Sequence, residues 1–234
     1  MVPVSSSAQL VLVPWLLGWP PAADRTGFAA ALHAGSCLGI VAVTRPWRAG
    51  PRTLAMVAAT SLPAAVAGLL AADRVEARLG RPPQIAALLA VAGLALLAAD
   101  RAPTTRPAVG PKQAAVAALA QVSALMPGVS RSGATLTALR LLGVERGAAQ
   151  RFSLLMSLPV TAGAAGLTLA RADRNALLAA RPALAVGAAT SLLAGAAAAA
   201  VQQSRPGRPA TWPALYRLVT AGVVARRLLR KDPL

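Results

Sequence analysis

Uncharged apolar blocks of roughly 17–21 residues divide this sequence, and its charges collect between them. A helix of that length crosses a hydrocarbon core about 30 Å thick, at 1.5 Å per residue. Inside such a core every backbone N–H and C=O must be satisfied within the protein. The blocks therefore read as membrane-spanning helices, and the chain as an all-α polytopic membrane protein. Composition agrees: 56% of residues are hydrophobic and the mean hydropathy is +0.58, against about 45–50% apolar residues in soluble domains.

The full-length blocks are Gly27–Val43, Thr53–Ala72, Pro83–Ala99, Phe152–Ala170, Pro182–Val201 and Pro213–Leu229, the last rich in arginine. Pro63 is expected to kink or break the second. The proline pair at 82–83 favours a helix start. Three other blocks are too short to span: Leu10–Ala22, Ala114–Met126 and Gly133–Val144. They suit half-membrane helices, with irregular backbone at depth only where protein or a cavity surrounds it. The last two flank PGVSRSGAT (Pro127–Thr135) and read as a re-entrant hairpin. VPVSSSAQL (Val2–Leu10) repeats the theme as a first, incomplete hairpin. Three spans separate the two elements, so they enter from opposite faces, as in inverted-topology repeats. The chain then reads as one transmembrane domain, with repeat 1 about 1–100 and repeat 2 about 112–234.

The formal net charge is +17. The arginines are spread over nearly every loop, as in RPWRAGPR and DRVEARLGR, rather than clustered on one basic face. Loop cations beside anionic headgroups account for them, and no nucleic-acid partner is expected. Alternate loops carry similar numbers of cations, so positive-inside counting does not orient the chain. Cys37 is the only cysteine, which excludes an internal disulfide. The first charge is Asp24, so no basic region precedes the first apolar core. The first spans are expected to act as uncleaved insertion signals. His33, inside a span, reads as buried in the bundle.

PGVSRSGAT carries the chemistry. A cation at membrane depth costs about 2.5–3.5 kcal/mol on insertion scales and needs a partner or a task. The seven acids, Asp24, Asp73, Glu76, Asp100, Glu145, Asp173 and Asp232, all fall in loops or at span ends. That points Arg131 towards an anion brought by a ligand. Gly128 and Gly133 let the backbone bend and approach closely. A helix starting near Ser132 offers free amides and a positive dipole end. Ser130, Ser132 and Thr135 add hydroxyls, and Thr135 shares a helical face with Arg131, whose planar fork suits phosphate oxygens. The purely structural alternative has these small residues capping and packing the half-helix while Arg131 snorkels.

PGVSRSGAT resembles the signature of the undecaprenyl-diphosphatase family, membrane phosphatases of the bacitracin-resistance type. The similarity continues through FAAALHAGSCLGIVAV, SLPAAVAGLLAADRVEARLG, ALLAADR, ERGAAQRFSLLMSLPVTAGA and ALYRLVTAG, essentially the whole chain. VPVSSSAQL resembles the family's Pro-x-Ser-Ser-Thr-Gly-His element. The resemblance implies an inverted-repeat bundle with two re-entrant hairpins in the bacterial plasma membrane. It also implies removal of the terminal phosphate from a polyprenyl diphosphate, which regenerates the monophosphate carrier for cell-wall peptidoglycan synthesis. A divalent cation, Mg²⁺ or Ca²⁺, is implied too, and a homo-oligomer is compatible with it. Carried over, Ser6, Ser130, Arg131 and Thr135 are the catalytic set. Ser5, Ser7, Gln9, Gly128, Ser132 and Gly133 line the substrate.

Two departures qualify this. The family's glutamate-rich stretch precedes its Pro-x-Ser-Ser element, whereas here Pro3 is the third residue, so ligands for the implied cation are not identifiable. Gln9 stands where the family has histidine, and an amide cannot shuttle a proton near neutral pH. The 234-residue chain is expected to bind a polyprenyl phosphate or diphosphate and hydrolyse it poorly, with an upstream extension restoring hydrolysis. The alternative is a non-catalytic binder or transporter of polyprenyl phosphate at the same site.

Overall fold

The computed structural model describes residues 3–19, 25–171 and 173–230, and they form an all-α fold with no strand beyond the isolated bridge between Arg106 and Val144. The helices are α1 (Ser6–Leu17), α2 (Arg25–Thr44), α3 (Pro51–Leu79), α4 (Pro82–Asp100), α5 (Pro111–Val122), α6 (Arg131–Leu141), α7 (Arg146–Arg171), α8 (Arg174–Ser204) and α9 (Thr211–Leu229). Five of them, α2, α3, α4, α7 and α8, are long and apolar enough to cross a membrane. Helix α9 matches α4 in length but carries arginines at 217, 226 and 227, and it is not among the five.

Two expectations need correcting. Helix α3 runs unbroken through Pro63, so of the kink or break expected there the break does not occur. Proline costs one backbone bond, but breaking a helix in an apolar medium would expose several more. Helix α8 begins at Arg174, not at Pro182, because the Asp173 carboxylate accepts the Asn175 amide (3.0 Å) and caps it there. Helix α7 likewise starts ahead of Phe152. Glu145 accepts the amides of Gly147 and Ala148, both at 2.8 Å.

The chain forms two compact units. One is built from Pro21–Ser61 and Leu154–Pro206. Its spine is the pair α2 and α8, held at backbone contact. A Cβ on Gly35 would strike the Ala188 carbonyl, and one on Gly39 the Leu192 carbonyl. At the same seam Ser191 donates to the Leu32 carbonyl (2.6 Å), and its hydroxyl meets that of Ser36 (2.5 Å). His33, on α2, is only partly buried.

The other unit comprises Val2–Pro20, Leu62–Ser153 and Gly207–Leu234. Its contacts fix the direction of each helix. Asp100, ending α4, accepts the Ala210 amide before α9 (3.1 Å), while Ile85 and Leu89 share a core with Ala221 and Val224. Helices α4 and α9 are therefore antiparallel, and Gly93 lets them close: a Cβ there would meet Ala214 and Arg217 at 3.3 Å. Helix α1 runs alongside α9 in the same direction. Arg217 reaches the Pro3 carbonyl ahead of α1, and Arg227 reaches the Leu16 carbonyl near its end, lying 5.2 Å from the Trp15 ring. Helix α6 runs with α4, since Gly128 abuts Ile85 and Leu89 while Arg140 reaches the Asp100 end.

That end is tied by polar contacts. Helix α6 closes in a Schellman motif: Val144 N–H donates to the Leu139 carbonyl (3.0 Å), Gly143 N–H to that of Arg140 (2.9 Å), and Gly143 has φ +76°. The block containing Arg140 reads as lipid-compatible in sequence, yet Arg140 is buried, 3% exposed. It donates to Thr104 Oγ1 (3.2 Å) and to the carbonyls of Val144, Ala102 and Asp100. Arg146 pairs with the Asp100 carboxylate at 2.8 Å.

Replacing Asp100 with alanine removes the carboxylate partner of Arg146 Nε and of the Ala210 amide, leaving Arg146 only its bond to the main-chain carbonyl of residue 100. It should destabilise by about 2–4 kcal/mol and lower the unfolding midpoint by roughly 5–10 °C, read by thermal denaturation in detergent. The Glu145 carboxyl is held below its ordinary value, first by the Gly147 amide, against desolvation and with help from the Ala148 amide, Arg151 and Arg140. Its stabilisation is therefore present above about pH 4.3, the ordinary carboxyl value, and is lost as pH falls through the depressed folded value. Glu145→Gln should flatten the acid limb of the stability curve.

Candidate active site

The two serine-rich stretches open their helices alike. Ser5 precedes α1 and Ser130 precedes α6, with φ 64° and 66°, angles that cost a non-glycine residue about 1–3 kcal/mol. In each, the hydroxyl of this residue faces the one two positions on: Ser5 to Ser7 at 3.5 Å, Ser130 to Ser132 at 3.4 Å. Ser6 and Arg131 hold the matching first helical positions. Ser130 Oγ also accepts the Gly133 amide (3.3 Å), a capping bond without counterpart at Ser5.

Helix α1 runs with α9 and α6 against it, so the two N-termini face each other. Each first turn offers amides that no preceding carbonyl can take, and each is the positive end of a helix dipole. Arg217 of α9 lies where they meet. Its Nε donates to the Pro3 carbonyl (2.6 Å), and its guanidinium covers Gly133 on the first turn of α6. A Cβ at Gly133 would sit 2.9 Å from both Cζ and Nη1 and closer still to Nη2.

This revises the part expected of Gly133. It lies in regular helix, and what it provides is room for a guanidinium. Gly128 bends the backbone as expected, with φ +108°, and its close approach is to α4, where a Cβ would meet the Ile85 carbonyl at 2.8 Å.

Thr135 is 0% exposed. Its Oγ1 is within bonding distance of the carbonyls of Arg131 (3.1 Å) and Ser132 (3.3 Å) and of Ser153 Oγ at 2.6 Å. Thr135 has one proton for three acceptors, and either hydroxyl can donate in the 2.6 Å contact with Ser153. Arg131 is partly exposed, Ser5, Ser130 and Ser132 are buried, and Ser6 and Ser7 are exposed. The Gln9 amide nitrogen is buried with no acceptor among the described residues.

Sequence reading missed Ser153 and Arg217. An arginine among the apolar residues of ALYRLVTAG was the available signal for Arg217. Spacing gave none for Ser153.

The donors gathered here are guanidinium, hydroxyl and amide groups, which hold anions. A hard divalent cation needs anionic oxygens, and no group of three His, Cys, Asp or Glu gathers among the described residues. Asp100 and Glu145 serve the starts of α9 and α7. The donor set does not fit the cation implied by the resemblance. In the other unit, an apolar pocket of about 390 Å³ is lined by Cys37, Leu54, Val57, Leu158 and Pro159 among others. Without polar groups it offers a diphosphate nothing.

These features define an all-α multi-pass membrane protein with a cationic interior site. The profile of the family described as bacitracin resistance protein BacA matches residues 1–223, and the chain belongs to that family. It is 38% identical over 222 residues to an undecaprenyl-diphosphatase of Gemmatimonas aurantiaca, covering 86% of this chain and 78% of the relative. It is 36% identical over 257 residues to that of Geobacter sulfurreducens (99% and 94% covered) and 36% over 259 to that of Pelobacter propionicus (98% and 92%).

Thr135→Val should destabilise by about 1–2 kcal/mol, leaving the Ser153 hydroxyl buried without its partner. Adding Ser153→Ala should recover part of that, and a double-mutant cycle should give a coupling of about 0.5–2 kcal/mol.

Proposed function

We infer that the chain is an undecaprenyl- or other polyprenyl-diphosphate phosphatase of the bacterial plasma membrane. It releases the terminal phosphate and returns the lipid monophosphate to cell-wall glycan synthesis. The observation that carries this reading is the opposition of two serine-started helices inside an apolar unit. Amides and dipole ends directed at one place favour a multiply charged anion. The isoprenoid tail belongs in the same apolar medium as the helices, so a diphosphate on a lipid matches both halves of the environment. Family membership supports the same substrate.

In this reading Arg131 and the first-turn amides of α6 hold diphosphate oxygens. Ser130 and Ser132 add hydroxyl donors, and Ser6 and Ser7 approach from the opposing helix. Thr135 acts through Ser153, fixing the first turn so that its amides keep their direction. In the net reaction an oxygen from water bonds to the terminal phosphorus as the bridging P–O bond breaks, and the bridging oxygen leaves on the lipid monophosphate. The charge that builds on the phosphoryl oxygens is stabilised by donors already in place. Gln9 contributes an amide donor where a proton shuttle would need an imidazole.

Purified protein supplied with farnesyl diphosphate, with Mg²⁺ or Ca²⁺ present, should release phosphate slowly, in keeping with the absence of gathered cation ligands among the described residues. Arg131→Lys should lower that rate by about 10²-fold, because a point charge replaces a two-pronged donor. Unchanged turnover in the lysine variant would remove Arg131 from the chemistry.

A further inference from the structure

We propose that Arg217 is a second phosphate-binding residue, whose guanidinium holds the diphosphate between the two helix N-termini and couples that binding to the segment ahead of α1. The proposal rests on the diphosphate reading above.

Among the described residues, Arg217 is the largest side chain buried without exposure, at 0%. It stands level with Gly93, well inside the 19-residue α4. A guanidinium there normally has a carboxylate, and no carboxylate pairs with Arg217 among the described residues. Only Nε is satisfied, by the Pro3 carbonyl. Nη1 and Nη2 have no acceptor among the described residues, which leaves four N–H groups in a planar fork. That fork matches the spacing of phosphate oxygens.

Arg140 gives the internal comparison. It too is a buried arginine in this unit, and it plays a structural part: its Nη1 and Nη2 are taken up by carbonyls and a threonine hydroxyl. If Arg217 served only to hold Pro3, its Nε bond would suffice, and burying the rest of the fork would be pure cost. An anion on the first turn of α6 offsets that cost, since the fork already lies against Gly133 there.

The link to Pro3 adds a second consequence. The same guanidinium that grips the anion also grips the chain two residues ahead of Ser5, so binding and the order of residues 3–7 depend on each other.

The test uses the full chain in detergent, with inorganic pyrophosphate as the probe and a thermal-stability titration as the readout. Wild type should be stabilised by pyrophosphate, and amide hydrogen exchange at residues 4–9 should slow when it is added. Arg217→Lys keeps the charge but loses the fork, and should bind pyrophosphate about 10-fold or more weakly. Gly133→Ala leaves Arg217 in place and favours helix over glycine, yet its methyl group displaces the pinned guanidinium. It should fold and lose affinity to a similar degree, which keeps the proposal testable if the lysine variant does not fold. Wild-type affinity in either variant overturns the proposal, as does a wild type that pyrophosphate does not stabilise. Pyrophosphate binding that depends on Arg217, without phosphate release from farnesyl diphosphate, leaves this proposal standing and sinks the phosphatase reading.

Discussion

A helix that begins inside an apolar bundle has amides that water cannot reach, and the site follows from how that need is met. The first turn of α6, with Ser132 and Gly133 buried, is in this position, and α1 starts opposite it behind a buried Ser5. Neither serine start can be relaxed into ordinary backbone without turning the first-turn amides elsewhere, so φ stays left-handed at Ser5 and Ser130. Setting the two starts head to head concentrates positive potential where a buried guanidinium already lies. Left to itself that arrangement is unfavourable. It is maintained by packing around it and is suited to a ligand with negative charge.

The packing that maintains it is anchored at the far end of α4. Asp100 sets the start of α9 and the start of α7 through one carboxylate, and Arg140 closes α6 onto the same corner. From that corner α9 runs back past Gly93, which determines how near Arg217 comes to α6. The chain has seven acidic residues, and three of them, Asp100, Glu145 and Asp173, fix helix ends. Carboxylate is spent on architecture, while the interior facing the helix starts keeps its cations.

Much of this was legible in sequence because lipid leaves few options. Span-length apolar blocks can only be helices in this setting, and the short blocks around PGVSRSGAT became α5 and α6. The serine cluster and Gly128 were readable because capping and close approach are local matters. The break at Pro63 was misjudged, since the rule for proline weighs one lost bond and not the cost of exposing a whole turn to lipid. The start of α8 was missed because a single capping aspartate outweighs a proline eight residues on. Gly133 and Arg217 were hidden for a different reason. Their relationship exists only between α6 and α9, and neither spacing nor composition encodes which arginine of an arginine-rich helix turns inward.

The seam between α2 and α8 carries one more implication. Lipid tails are as apolar as leucine, so the hydrophobic effect gives two helices little reason to associate there. Association must then come from contacts that cost little to order. Gly35, Gly39, Gly195 and the alanines around them have no side-chain rotamers to freeze. Nearly all the dispersion gained at backbone contact is therefore retained as net stability. An aromatic content of 3% is no handicap for such a chain, because its helices are held by smallness rather than bulk.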